Sequence, residues 1–547
     1  MKEFSSQTRS ENLQKLSEEN FDLLIIGGGI TGTGAARDAA SRGLKVALID
    51  GQDFASGASS RSSKLIHGGI RYLENYEFHL VFEALNERQR LFHIAPHLVH
   101  PLKFVLPLYE GDRVTPFLMG IGMWLYDALA LFDVPMLHYF MGPRSTKREI
   151  PSLQTDGLKG SYVYSDAYMD DDRLVIETLR SAHQWGATAV NYTKAIGVEM
   201  QNGKVVAVDC RDEKTKNTFK IRAKHFISTV GPWTDILGQD LLKDWKKLLR
   251  PTKGIHLTFE QHRFPLKDAV VMSTRNDKRI VFGIPRHDMV IVGTTDTAYQ
   301  EHPEKVSATR EDVEYLLKIV NSYFPGAKLT TKDIVASYAG VRPLIDDGAE
   351  TESKTSREHL IKSDPRNITF VAGGKYTTYR YMSQQTIDAA LENFDHETRS
   401  RLQKSQTELP LNPAASTDNI WRSLREVDGL AQEYGLKPSS VEWLIRRHGY
   451  EAQNLLAIKT EQDPDLAIWQ MEVIQAVRYT MCLHLLDFYV RRTPLMLSRR
   501  DHGMGLIDAI AQYFSQELGW SENQKRAEVE SVKQFILTEY RWRTTKF

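Results

Sequence analysis

Cysteine is almost absent from this sequence: Cys210 and Cys482 are the only two in 547 residues. Two cysteines cannot staple a chain of this size. Neither belongs to a CxxC pair, which argues against a redox dithiol or a zinc site, and no metal is expected. A reducing compartment is the expectation. Net charge is missing as well. Lys plus Arg number 70 and Asp plus Glu number 70. No global field therefore attracts nucleic acid, and any anion site has to be assembled locally. No run of about 18 uncharged apolar residues occurs, so no membrane-spanning helix is expected. Residues 1–20 are polar, of mixed charge and without the apolar core of a signal peptide; they read as a tail. No fixed-period repeat or low-complexity tract is visible.

Hydrophobic residues make up 41% and charged residues 26%, which is ordinary globular usage, and the length calls for several domains. Residues 75–165 are helical and apolar in pattern. Residues 160–380 mix short β-branched runs with turns. From about residue 410 the pattern is helical, after a polar stretch at 405–418 with Pro410 and Pro413 that suits a linker. The stretch 115–140 is rich in Met, Leu, Trp and Phe but interrupted by Asp127, Asp133 and Pro135. It reads either as a buried helix pair or as a segment lying in a membrane interface.

Residues 21–26 form a continuous apolar run, the pattern of a buried parallel strand. Gly27, Gly29 and Gly32 follow as GxGxxG, then a helical stretch with Ala35, Ala36, Ala39 and Ala40, then a strand at 46–49 ending on Asp50. Each part has a physical role in holding a dinucleotide. Gly27 permits the tight turn, Gly29 lets backbone approach a pyrophosphate, and Gly32 lets the helix lie against the strand. The exposed N–H groups at the helix start, around Gly28, Ile30 and Thr31, together with the positive dipole end, face the phosphates. Asp50 can accept hydrogen bonds from a ribose. The fingerprint alone does not separate NAD from FAD; its position near the N-terminus leans towards FAD.

The segment 55–72 crowds Ser59, Ser60, Ser62 and Ser63 ahead of Lys64, His67, Gly68, Gly69 and Arg71. Hydroxyls and exposed N–H groups suit a pyrophosphate or a flavin edge, and Gly68-Gly69 suits close approach to a flat ring. The string SSKLIHGGIRYLENYEF resembles a block of the FAD-dependent, membrane-associated glycerol-3-phosphate dehydrogenases. Further strings agree in order and spacing: TVGPW at 229–233, YAGVRPL at 338–344 and GGKYTTYR at 373–380. The resemblance spans about residues 21–390 and weakens beyond.

That resemblance implies an α/β fold: a Rossmann-like FAD-binding domain (21–80, 155–250 and 335–395), an antiparallel-sheet substrate domain (81–154 and 251–334) and a C-terminal helical domain (400–547). It implies FAD as cofactor, with Gly231, Trp233, Gly374, Lys375, Tyr376, Thr377 and Thr378 beside it. It also implies oxidation of sn-glycerol 3-phosphate to dihydroxyacetone phosphate, hydride passing to flavin N5 and electrons to a membrane quinone. Homodimerisation and peripheral attachment to the inner face of the cytoplasmic membrane are family expectations.

The substrate is a small dianion with a secondary alcohol, which calls for fixed cations and a base. Arg71, Arg342, Arg357 and Lys375 are the candidate cations, and Thr294 and Thr295 are candidates to touch the substrate. His67 is the first candidate base and His256 the second. Thr377 and Thr378 can cap the helix that follows the GGK turn. Membrane contact has three candidate segments: 115–140, the basic patch 243–247, and 485–500 with Arg491, Arg492, Arg499 and Arg500. Three other readings stay open: the same oxidation with molecular oxygen as acceptor, an amine or amino-acid oxidase, and a flavin-binding scaffold whose helical region binds a partner.

Overall fold

The computed structural model describes residues 2–544 except 243, 275–278, 347 and 349–357. Two large sheets organise the described residues. The first begins with strand β1 (Asn20–Ile26), followed by helix α1 (Ile30–Ser41) and strand β2 (Val46–Ile49). Its order runs His359–Asp364, Ile368–Gly373, Thr218–Ser228, β1, β2, Thr188–Val190. All neighbours in that row are parallel except the first pair. The row reverses direction at β1, between Thr218–Ser228 and β2. This is the switch point at whose carboxyl end open α/β sheets bind ligands.

The helix α1 lies close on β1 because its inward residues are small. Ala35, Ala36 and Ala39 are fully buried, and a Cβ on Gly34 would meet Ser383 Oγ at 2.3 Å. The helix Asp171–Gln184 covers the same face, and its inward residues from Leu174 to Leu179 are buried.

The second sheet has ten strands in which the long hairpin-like pair Val99–Tyr109 and Leu158–Met169 stands beside the block Thr252–Glu260, Met289–Gly293, Ile280–Arg286 and Ala269–Ser273. Pairing is antiparallel except between Ala269–Ser273 and Val99–Tyr109. Two strands sit in this sheet rather than in the FAD-binding segments expected for them: Leu158–Met169, and Ile334–Arg342, which pairs with Thr252–Glu260.

Residues 1–20, expected to be a tail, carry the helix Ser6–Glu18. Its Arg9 and Asn12 are buried and donate to backbone carbonyls of Asn191 and Ala189, and Arg9 also pairs with Asp212 at 2.6 Å. A polar helix is held here by partners about 180 residues away, which local composition does not reveal.

From Thr417 onward the described chain is helical. Its attachment to the first sheet's helices is ionic as well as apolar. Glu472 accepts from Arg447 at 2.8 Å and faces His448 at 3.0 Å, while Arg173 of the Asp171–Gln184 helix donates to the Arg447 carbonyl. Burial opposes the charge on Glu472, yet Arg447 and His448 hold its carboxyl well below the ordinary carboxylate range.

Removing this carboxylate leaves Arg447 charged in a buried site. Glu472→Ala is expected to cost about 3–5 kcal/mol in denaturant unfolding. Because the folded-state value is depressed, the wild-type contribution is present above the unfolded value of 4.5 and lost as pH falls towards the lowered one. The stability difference between wild type and variant therefore shrinks in acid.

Candidate functional site

A cavity of about 580 Å³ opens at the carboxyl end of β1 and extends between the two sheets. Its first part is a dinucleotide cradle. Gly27 has φ +111°, a conformation other residues rarely adopt, and a Cβ on Gly32 would lie 1.9 Å from the Gly27 carbonyl oxygen. The close approach of helix to strand thus depends on glycine at both positions. Gly27, Gly29, Ile30 and Thr31 line the cavity at the start of α1. Asp50 also lines it, and its carboxylate accepts from the amides of Gly28 at 2.7 Å and Gln52 at 2.8 Å. Ser59 Oγ accepts from the Ile30 amide at 3.0 Å, so the serine segment folds over the helix start. Gly231 and Trp233 border the same end.

The second part lies where the chain passes from the first sheet to the second. Leu65–Ile66 joins the second sheet beside Tyr168 and Ala167. Directly afterwards, His67 faces the cavity, Gly69 turns with φ +75°, and Arg71 lines the wall from the short helix Ile70–Asn75. The Gly373-Gly374 turn approaches from the other side, both glycines with positive φ, and carries Lys375 into the cavity. The two loops are latched. Thr377 Oγ1 accepts from the His67 amide at 3.2 Å and donates to the His67 carbonyl at 3.3 Å. This replaces the expected helix cap: Thr378 occupies the N-cap position of Tyr379–Leu391 without a side-chain capping bond.

The His67 imidazole is kept neutral mainly by burial, which lowers its pKa; Asp166 opposes that and Lys375 reinforces it. A lowered value leaves the proton-accepting form in place at neutral pH. Lys375 Nζ sits 4.3 Å from the centre of the Tyr72 ring, a cation–π contact.

Arg342 reaches the cavity from the end of Ile334–Arg342. Its guanidinium donates to Asp296 Oδ1 at 3.0 Å, Thr294 Oγ1 at 2.9 Å and the Thr295 carbonyl at 3.2 Å. Thr294 and Thr295 both line the cavity. His256 does too, but its ring is committed: Nε2 is 2.8 Å from Ser63 Oγ, and the ring stacks on Tyr338 with centroids 4.7 Å apart. Burial, then Arg342 and Lys64, keep it neutral.

Several expected residues stand behind the wall. Lys64 is 1% exposed and ion-paired with Asp171, which also accepts from Ser62 Oγ at 2.7 Å. Gly68 donates its amide to Asp166, and a Cβ there would strike Leu85 and Tyr126. Gly28, Gly32, Ser60 and Thr378 likewise shape the site from outside the lining, whereas Ser62, Ser63 and Tyr376 are part of it. Arg357 lies outside the described residues. Tyr72, Asp166 and Asp296 were not singled out from sequence. Tyr72 lies inside the quoted HGGIRY string and Asp296 directly follows Thr294 and Thr295; Asp166 carries no local signal, because its partner Arg88 is distant in the chain.

The features at the first part fit a dinucleotide: a glycine turn too tight for side chains, a helix N-terminus open to the cavity and a carboxylate at the end of β2. Comparison with known proteins agrees. Residues 22–380 match the family model described as FAD dependent oxidoreductase, and residues 409–525 match the C-terminal domain of alpha-glycerophosphate oxidase. The aerobic glycerol-3-phosphate dehydrogenase of Bacillus subtilis (strain 168) is 35% identical, covering 98% of both chains. The enzyme of the same name from Staphylococcus aureus (strain USA300) is 34% identical over 97% of both. The structure of the glycerol-3-phosphate dehydrogenase from Bacillus halodurans complexed with FAD superposes with a TM-score of 0.79 at 29% identity, covering 98% of each chain. The FAD-bound L-alpha-glycerophosphate oxidase of Mycoplasma pneumoniae shares the fold, with a TM-score of 0.55 at 16% identity, covering 71% of this chain and 97% of that one. With the cradle, the matched domains and full-length relatives in agreement, the chain belongs to the FAD-dependent glycerol-3-phosphate dehydrogenase family.

Proposed function

We propose that this chain oxidises sn-glycerol 3-phosphate to dihydroxyacetone phosphate and passes the electrons to a membrane quinone. One observation carries the reading: His67, Arg71, Arg342 and Lys375, drawn from three distant stretches, line a single cavity together with the dinucleotide cradle. In this reading Arg71 and Arg342 bind the phosphate, whose oxygens match the guanidinium fork. Lys375 holds the substrate oxygen. His67 accepts the C2 hydroxyl proton at a ring nitrogen. His256, bonded to Ser63 and stacked on Tyr338, supports the wall and is the weaker candidate for the base. FAD, when bound, supplies the acceptor for the C2 hydride.

Oxygen as acceptor is the second reading, favoured by the oxidase named in the C-terminal match. Anaerobic mixing with glycerol 3-phosphate is expected to bleach the flavin, and a soluble quinone is expected to recolour it faster than air-saturated buffer. Peroxide released at the rate of turnover reverses that choice, and a flavin that glycerol 3-phosphate does not bleach removes the substrate assignment.

Attachment to the membrane is part of the same proposal. No helix among the described residues is long and apolar enough to cross a membrane. The helix Pro116–Leu129 turns Met123 and Tyr126 inward and leaves Phe117 80% and Trp124 60% exposed, with Leu118 and Ile121 on the same outer face. Leu131, Phe132, Leu137 and Phe140 extend the patch, and Arg144 and Arg148 are exposed just beyond. An apolar patch with a basic rim suits the interface of an anionic bilayer. The other two candidate segments are engaged in part: Lys246, Lys247, Arg499 and Arg500 are exposed, and Lys243 lies outside the described residues. Trp245 packs on Phe370, and Arg491 and Arg492 are buried against Asp53.

His67→Gln is expected to lower kcat by about 10²–10⁴-fold with FAD retained. In wild type, kcat falls as pH drops through the lowered His67 value, beneath the ordinary 6.5, and the variant loses that limb. Arg342→Ala is expected to raise KM by roughly 10–100-fold, the worth of a charged hydrogen bond, with FAD retained. Loss of flavin from that variant removes Arg342 from the phosphate site. In flotation with phosphatidylglycerol vesicles, Phe117→Glu/Trp124→Glu is expected to leave the vesicle fraction while turnover with a soluble acceptor persists. Unchanged flotation with an altered sedimentation state assigns the face to a second copy of the chain instead.

A further inference from the structure

Among the described residues the helical C-terminal region contributes none to the cavity lining, yet it reaches the cofactor site at two points. Asp53, three residues after the ribose-side Asp50, is fully buried. Arg492 holds it with two bonds, Nη1 to Oδ2 at 2.9 Å and Nη2 to Oδ1 at 3.0 Å, and Arg491 Nε adds a third at 2.7 Å. Both arginines come from the single π-helical turn Phe488–Arg492. Each is itself held: Arg491 by Asp487 at 2.5 Å, Arg492 by Thr480 Oγ1 at 2.9 Å. Two carboxylates thus face two guanidiniums, so the buried charges balance.

The second point is Arg61, eight residues on, which lines the cavity. Its guanidinium pairs with Glu539 at 2.9 Å and donates to the Ala339 carbonyl at 3.1 Å. Glu539 closes the helix Glu522–Glu539 and is only 4% exposed. Its carbonyl accepts from Ser337 Oγ, which in turn accepts from Trp542 Nε1, both at 2.9 Å.

Between these two anchors runs the stretch that folds over the dinucleotide cradle. Phe54 packs against Gly28, where a Cβ would come within 2.6 Å of its ring. The Ala55 amide donates to the Gly28 carbonyl at 3.1 Å, and Ala55 itself takes a positive φ of 64°. Ser56, Gly57, Ala58 and Ser59 then line the cavity, with only the short helix Ala58–Ser60 as regular structure. A strained, largely irregular loop keeps one position only if its surroundings over-determine it. Here the strong charged contacts at its two ends come from the C-terminal region.

We propose that the C-terminal helical region is the clasp of the cofactor site. By gripping Asp53 and Arg61 it keeps residues 54–60 over the dinucleotide and sets how slowly FAD leaves. Arg491, Arg492 and Glu539 are positioning residues that touch neither substrate nor cofactor.

The test measures FAD release from the holoenzyme by the recovery of flavin fluorescence on dilution. Arg492→Met is expected to speed release about tenfold, equivalent to roughly 1.4 kcal/mol, with Arg492→Lys in between. Glu539→Gln is expected to speed release in the same direction. The KM for glycerol 3-phosphate at saturating FAD stays at the wild-type value. Arg478→Met serves as the control, since it breaks the Arg478–Glu517 pair inside the same region without touching the loop. Its release rate is expected to match wild type even if its melting temperature falls. Wild-type release in the folded Arg492 and Glu539 variants overturns the proposal. So does equal acceleration in Arg478→Met, which reduces the effect to general destabilisation. If Arg492→Met does not fold, Arg492→Lys and Glu539→Gln decide the matter.

Discussion

The chain of this protein passes between the two sheets more than once, after Ile49, after Met169, after Ser228 and after Arg342. β2 ends at Ile49 in the first sheet, and Leu65–Ile66 already pairs in the second. Together these crossings hold the carboxyl end of β1 and the end of Ile334–Arg342 on opposite sides of a gap. That gap is the cavity. The loop that spans it also supplies much of its wall, from Ser56 through Arg71. Dinucleotide cradle and cation pocket therefore adjoin as a consequence of connectivity rather than of any single contact.

Charge is organised by the same geometry. The chain has no net charge, yet its interior holds several charge pairs: Lys64 with Asp171, Arg88 with Asp166, Arg286 with Asp170. Unpaired, any of these would be costly to bury. Paired, they fix the segments that carry the cavity wall. Lys64 and Ser62 both bond Asp171, and Tyr376 donates to the Asp171 carbonyl, so one residue of the Asp171–Gln184 helix steadies the loops on both sides of the cavity. Arg342 differs. Its partner Asp296 also lines the cavity, so the guanidinium is oriented by a carboxylate that a bound dianion would have to share.

The latch between Thr377 and the backbone of His67 joins the loops that carry His67 and Lys375. Because both bonds involve main-chain atoms of His67, the imidazole stays uncommitted by that contact and its neutral form is set by burial. His256 is the contrast, a histidine whose ring is already bonded and stacked.

The sequence by itself determined the glycine turn, the helix after it and Asp50, because these are local: their periodicity and spacing are written within thirty residues, and the structure has helix and strands where that pattern requires them. It also carried His67, Arg71, Arg342 and Lys375 as candidates through three recognisable strings. Only the tertiary structure decided that these four border one cavity, that Lys64 turns away to Asp171, that the polar N-terminal segment is a helix, and that Arg491 and Arg492 lie buried against Asp53. The reason is the same in each case. A charged side chain takes its place from partners distant in the chain, from 46 residues for Arg342 and Asp296 to 439 for Arg492 and Asp53, and no local pattern encodes which partner will meet it.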